Sequence, residues 1–480
     1  MNTPSASPAA PSATAIYAER RARVARQLGD GGFAIIPTAS EHLRNRDSDY
    51  QFRHDSYFYY LTGFTEPNAC LVIAADGKSS LFCAPKDLER EIWDGYRLGP
   101  DAAVAALGVD EAFSFAELDL RLPKMLENRS VVWYPFAIHT GLEGRVARWL
   151  NVVRARSRFG ALVPEQQRDL CAILDEMRLV KDAHEQATIR RACAISARAH
   201  VLAMQRSARM LRAGEDVREY HLDAELLHAF REHGSQYTAY GSIVAAGANA
   251  CVLHYRADAA PIKSGELVLI DAGCELDGYA SDITRTFPAG GKFSGPQRAL
   301  YELVLASQDA AVAVTRPGKR FNDPHDATVA VLAQGMLDLG LLDRNKVGGV
   351  QDVIENRSYF PFYMHRTGHW MGMDVHDCGS YVEPTELGHI SERRDPLSGE
   401  LILNRPSRIL RPGMVTTVEP GIYVRPAEGV PEQFHNIGIR IEDDALITDD
   451  GCELMTRGVP VHPDEIEALM REGAAAPLLS

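Results

Sequence analysis

The chain has 480 residues, too long for one hydrophobic core, so two or three domains are expected. Its 65 acidic residues outnumber 51 basic ones, and the net charge of −14 argues against nucleic acid or an anionic membrane as the main partner. With 45% hydrophobic and 24% charged residues and no apolar run of about 18, the composition is that of a soluble globular protein without a transmembrane helix.

Met1 to Thr14 is rich in Ala, Pro and Ser and has no secretory pattern, so it reads as a disordered leader. Between Ile16 and about Asp175, helical and strand-like stretches alternate. Gly32–Pro37, Ala69–Ala74 and Ser130–Tyr134 are apolar runs bounded by turn formers and read as buried strands; Arg145–Val153 and Pro164–Arg178 read as helices. A domain boundary is expected near Met177. A long helix is expected from Asp182, which with Glu185 resembles a capping pair, to a stop at Gly214; a second spans Val217–His233. Beyond Tyr240 short strands dominate, broken by helices at Gly295–Val314 and Pro324–Leu339. The eight cysteines are scattered, with no C-x-x-C pair, as free thiols in a reducing cytoplasm would be.

The polar residues that promise chemistry fall in this second half. Gly265–Gly273 is an apolar strand ending in Asp271, and after the turn signal Asp277-Gly278 a second strand carries Asp282. A two-residue turn at Leu276-Asp277 or at Asp277-Gly278 puts both acids on one face of the hairpin. Buried together they need a cation, a shared proton or access to solvent. Three histidines, His365, His369 and His376, crowd twelve positions among glycines that exclude one regular helix; they suit metal ligation or proton transfer, or else hydrogen bonding in a core. Glu419 closes a strand before Pro420-Gly421. Arg440 and Glu442 share one strand face and could form a simple salt bridge, while Asp443 and Asp444 read as solvated strand-end acids. Four carboxylates and one imidazole suit Mn²⁺, Co²⁺ or Fe²⁺, with Zn²⁺ also acceptable, and bridging carboxylates can hold two ions. Such a centre suits hydrolysis of an amide at a peptide N-terminus.

At these residues the sequence resembles the pita-bread metallopeptidases, which include methionine aminopeptidase, prolidase and aminopeptidase P. The strings LIDAG, SDITRTF, VEPG and IRIEDD occur in the family's order, and its ligand set Asp, Asp, His, Glu, Glu falls on Asp271, Asp282, His369, Glu419 and Glu442. Phe52–Phe64 and Glu91–Gly99 are similar to the N-terminal domain of aminopeptidase P. The resemblance implies a leader over 1–15, an α/β domain over 16–176, an α+β pita-bread catalytic domain over 177–470 and a tail over 471–480. It implies two divalent ions, Mn²⁺ first, with Asp282 and Glu442 bridging and Glu419 as general base. It gives His254 a place near the substrate and His365 the proline pocket. His376 becomes a donor to the scissile carbonyl, and Arg440 orients Glu442 or contacts substrate.

The implied activity is removal of the first residue from peptides with proline second, by a cytoplasmic dimer or tetramer to which exposed aromatics such as Trp93 could contribute. A prolidase restricted to Xaa-Pro dipeptides is the alternative enzyme, and a metal-free binding module on the same fold is the alternative class. Two departures border the expected site: Arg366 directly after His365, and a long segment over Val382–Arg408.

Overall fold

The structure is a computed structural model that describes residues 13–256 and 259–475. The expected leader lies outside the described residues as far as position 12, and Ala13 opens a helix, Ala13–Gln27. The chain divides into two compact units between Met177 and Arg178.

The first unit is built on a mixed sheet of six strands: β1 (Gly32–Pro37), β2 (Cys70–Ala74), β3 (Ser79–Cys83), β4 (Glu111–Ser114), β5 (Val131–Tyr134) and β6 (Gln166–Asp169), in the order β4-β3-β2-β1-β5-β6. β1, β2 and β5 are apolar on both faces because both faces are covered, and Phe33, Ile35, Val72, Val132 and Trp149 share one core. Pro164–Arg178 is not one helix. Its first half is β6, which pairs with β5 in parallel, and the helix Cys171–Leu179 follows. The apolar helical spacing starts only at Leu170, so pairing at the sheet edge decides the conformation before it.

In the second unit, Asp182 caps the helix Ala183–Arg212, accepting from the amides of His184 and Glu185, and Glu185 closes the capping box. Helices Glu219–Glu232, Gly295–Val314, Asp323–Asp338 and Pro463–Ala475 complete the helical layer. The last runs through the start of the expected tail, of which residues 476–480 lie outside the described residues. One core joins helix residues Ala199, Leu222, Leu300 and Leu332 to strand residues Val268, Ile270, Phe287, Ile422 and Ile439.

The strands form two ribbons. In the first, β7 (Tyr237–Thr238) and β8 (Ile243–Ala246) flank β9 (Leu267–Asp271), β10 (Cys274–Leu276), β11 (Tyr279–Ala280) and β12 (Thr284–Pro288). β10 and β11 turn through Asp277 and Gly278, both with positive φ (50° and 79°), as a two-residue hairpin turn requires. β13 (Ser391–Arg394) and β14 (Leu401–Asn404) form an exposed hairpin inside the long 382–408 segment.

The second ribbon pairs β15 (Val415–Val418) with β18 (Asp443–Ile447), and β16 (Gly421–Val424) with β17 (Ile437–Arg440); β19 (Cys452–Leu454) joins β18. Asp443 and Asp444, expected in solvent, are fully buried here. Asp443 pairs with buried Arg285 of β12 at 2.7 Å, and Asp444 accepts from the Asp282 amide at 2.9 Å. These acids fasten one ribbon to the other, and a partner from a distant strand is invisible in the local sequence.

Candidate metal centre

Four of the five expected ligands, Asp271, Asp282, Glu419 and Glu442, stand where a ribbon's ladder ends or breaks. In the first ribbon Asp271 pairs with Thr284 and Glu275 with Ala280. Continuing that register between them puts Asp282 opposite Gly273, diagonal to Asp271 on one face. The structure thus selects the Asp277-Gly278 turn. Gly273 permits this closeness: a Cβ there would lie 1.8 Å from the Ser281 carbonyl oxygen. In the second ribbon Val418 pairs with Asp443 and Gly421 with Arg440, so the same register sets Glu419 directly opposite Glu442. His369 arrives on the loop between Met364 and Asp377, held to the second ribbon where the Thr417 amide donates to the His369 carbonyl at 3.0 Å.

Asp282, His369 and Glu442 offer donor atoms that all lie within 4.8 Å of one another. The His369 Nε2 is 3.4 Å from Asp282 Oδ2 and 3.8 Å from Glu419 Oε1. Its Nδ1 lies 2.9 Å from the Trp370 carbonyl, which fixes the tautomer that leaves Nε2 free to ligate. Asp271 completes the group through Tyr240, whose hydroxyl lies 2.6 Å from Asp271 Oδ1 and 2.5 Å from Asp282 Oδ1.

Four carboxylates at such density are costly without a cation. Burial, then the charges of its neighbours, pushes Glu442 well above the usual carboxylate range. Burial raises Glu419 to about 7 and lifts Asp271 as well. For His369, burial works against the charged form, yet hydrogen bonding to Asp282 and the Glu419 charge raise it to about 9. Divalent cations would displace these protons and neutralise the acids, so the donor set fits them.

A cavity of about 660 Å³ opens over this cluster. His254, His365, His376 and Arg440 all line it, with Tyr240, Phe321, Arg366 and Tyr381. His365 Nε2 lies 2.9 Å from the Tyr423 hydroxyl, and burial holds its pKa at about 3, so it is neutral. His376 meets the edge of the His369 ring at 4.3 Å between centroids, and burial, then the His369 charge, lowers its pKa. Arg440 does not pair with Glu442: its guanidinium donates to Asp271 at 2.6 Å, to Tyr423 and to Thr284, while Glu442 accepts from Thr284 at 2.6 Å. The wall includes Arg366 and Tyr381 but takes no residue of the 382–408 segment. Sequence reasoning missed Tyr240, Thr284, Tyr423 and Asp444 as parts of the site. Only Thr284 lay on a strand already expected, the one that carries Asp282.

Residues 187–449 match the model of metallopeptidase family M24, and residues 17–133 match the aminopeptidase P N-terminal domain. The Escherichia coli (strain K12) Xaa-Pro aminopeptidase is 41% identical over 95% of this chain and 97% of its own length. Human Xaa-Pro aminopeptidase 3 is 32% identical over 93% of this chain and 82% of its own. Among solved structures, Pseudomonas aeruginosa aminopeptidase PepP is similar with a TM-score of 0.88 at 45% identity, covering 97% of this chain and 99% of that one. Membership in a metallopeptidase family implies divalent metal ions. The chain belongs to metallopeptidase family M24, with the family's pita-bread catalytic domain behind an aminopeptidase P N-terminal domain.

Proposed function

We propose that this protein is an Xaa-Pro aminopeptidase that uses two divalent ions, natively Mn²⁺, held by Asp271, Asp282, His369, Glu419 and Glu442. The observation that carries this reading is the end-to-end match to Xaa-Pro aminopeptidases with all five donors gathered on one cavity floor. The ions, when bound, lower the pKa of water and polarise the scissile carbonyl. Glu419, on the cavity floor, takes the proton of the attacking water and passes it to the leaving proline nitrogen. Neutral His376 donates its N–H to the carbonyl oxygen as charge develops there. His254 lines the wall beside it, and neutral His365 offers a ring face for proline. Arg440 aims Asp271 and opposes the rise that burial imposes on it.

Eight free cysteines support a cytoplasmic protein, and no helix of the described residues is long and apolar enough to cross a membrane. The N-terminal unit exposes Leu88, Ile92, Tyr96 and Trp93, the last at 86%, which supports a homo-oligomer, dimer or tetramer.

The test is hydrolysis of Xaa-Pro-Yaa, Xaa-Ala-Yaa and Xaa-Pro, with metal analysis. Release of the first residue from Xaa-Pro-Yaa, most of the rate lost with alanine second, and about two ions per chain are expected. Activity confined to Xaa-Pro would make the protein a prolidase instead. Full activity after chelation to no detectable metal would end the two-ion reading.

A further inference from the structure

We infer that Arg366 forms a carboxylate-reading subsite on the cavity wall, so that a carboxylate carried by the residue after proline strengthens substrate binding. The inference rests on the Xaa-Pro aminopeptidase reading and adds a preference among its substrates.

Three arginines line the cavity: Arg256, Arg366 and Arg440. Arg440 is buried and committed to Asp271, Thr284 and Tyr423. Arg366 is exposed, and among the described residues its guanidinium has no Asp or Glu oxygen within 4.0 Å. One Nη donates to the Oδ1 of Asn322, another wall residue, which holds the fork in place and leaves further N–H groups for a ligand. A planar guanidinium held on one side by an amide is prepared for a carboxylate, which it can meet with two parallel bonds. Its charge also acts through the wall, since burial and then Arg366 hold His325 down at about 3.

The orientation of the peptide follows from charge. The cavity floor is an acidic donor set, which suits the cationic or metal-binding amino end of a peptide. The chain then runs away from the floor, and a carboxylate that it carries into the cavity loses part of its hydration and needs a cation to face it. Arg366 is such a cation, and it stands next to His365, a residue assigned here to the proline pocket. The chemistry recognised is a carboxylate at the third residue, which can be the C-terminus of a tripeptide or an acidic side chain.

The experiment compares kcat/KM for three peptides on the metal-loaded protein and on Arg366→Ala and Arg366→Lys: Xaa-Pro-Yaa as free acid, the same peptide as C-terminal amide, and Xaa-Pro-Asp amide. Wild type should favour the acid over the amide by about tenfold, mostly through KM. In Arg366→Ala that ratio should fall to about one, with Arg366→Lys between. Xaa-Pro-Asp amide separates the sources: rates like the free acid mean that a side-chain carboxylate is read as well, and rates like the simple amide mean that the chain terminus alone is read. A second readout, calorimetric binding of the product-like dipeptide Pro-Leu and its amide, should show the same ratio. Equal wild-type values for acid and amide, or an acid preference that survives in Arg366→Ala, overturn the subsite, while cleavage of both forms leaves the aminopeptidase reading standing. If wild type cleaves none of the three, that reading falls and the subsite with it.

Discussion

His376 and His369 stand ring to ring, seven positions apart in the chain, yet the geometry separates their tasks. His369 points its Nε2 at Asp282 and Glu419, whereas His376 lines the cavity with its ring edge-to-face against that of His369. His376→Ala should therefore keep its metal and a KM near the original while losing about 10²–10³ in kcat, as oxyanion donors do. His369→Ala should lose metal. Metal analysis and kcat on both variants check this; metal loss in His376→Ala, or near-normal turnover, would refute the assignment. The five proposed ligands were legible because each is a polar residue placed where an apolar strand ends or a glycine-rich loop bends. Tyr240 and Tyr423 were not, since a tyrosine beside a strand is as ordinary in a core as in a site. Arg440 shows the limit from the other side. Strand alternation put it on the face of Glu442, but Asp271 of the other ribbon takes its strongest bond.

At the scale of elements, register carries the site. The Asp277-Gly278 signal and the spacing of Asp271 from Asp282 were readable, because a period of two leaves few alternatives. The pairing of one ribbon with the other was not, because Arg285–Asp443 and Asp282–Asp444 join residues about 160 positions apart. Gly273→Ala tests the register directly. Its Cβ would collide with the backbone oxygen of Ser281, which cannot move without opening the ribbon. A loss of about 3 kcal/mol or more and much weaker metal binding are expected, by chemical denaturation and metal titration.

The helix Ala183–Arg212 supplies a second test. His200 is fully buried, with Nε2 2.9 Å from the Ala272 carbonyl and, among the described residues, Nδ1 without a partner. Burial lowers its pKa to about 4, because a second ring proton would find no acceptor. The unfolded chain, with a histidine near 6.5, then binds the proton first. Stability from this group is complete above about pH 6.5 and falls as pH drops towards 4, by on the order of 3 kcal/mol. His200→Gln should remove that part of the pH dependence; an unchanged profile would refute the assignment.

For the whole molecule, the order of its parts was written in composition: an alternating α/β half, then a half rich in glycine-punctuated strands that holds the site polar groups. The two units divide where that pattern changes, between Met177 and Arg178. The exposed β13–β14 hairpin was visible only as surplus length, since a polar hairpin leaves no apolar face to read. This division makes metal binding a stability question with a local answer. The four carboxylate donors sit on ends or breaks in both ribbons of the second unit, so ions that bind the folded site and not the unfolded chain should stabilise that unit by mass action, by about 2.7 kcal/mol at a hundredfold excess over Kd. Removing them leaves Asp271, Asp282, Glu419 and Glu442 facing one another, and protonation relieves that repulsion only in part. Chelation should lower the melting midpoint by several degrees. It should also speed amide exchange over residues 267–288 and 415–447, where the ladders converge on the site, while β1 to β6 keep their protection. Re-addition of Mn²⁺ should restore both. Exchange that rises equally in both units, or a midpoint indifferent to chelation, would show that the ribbons stand without an ion and that the acid cluster is stabilised by shared protons alone.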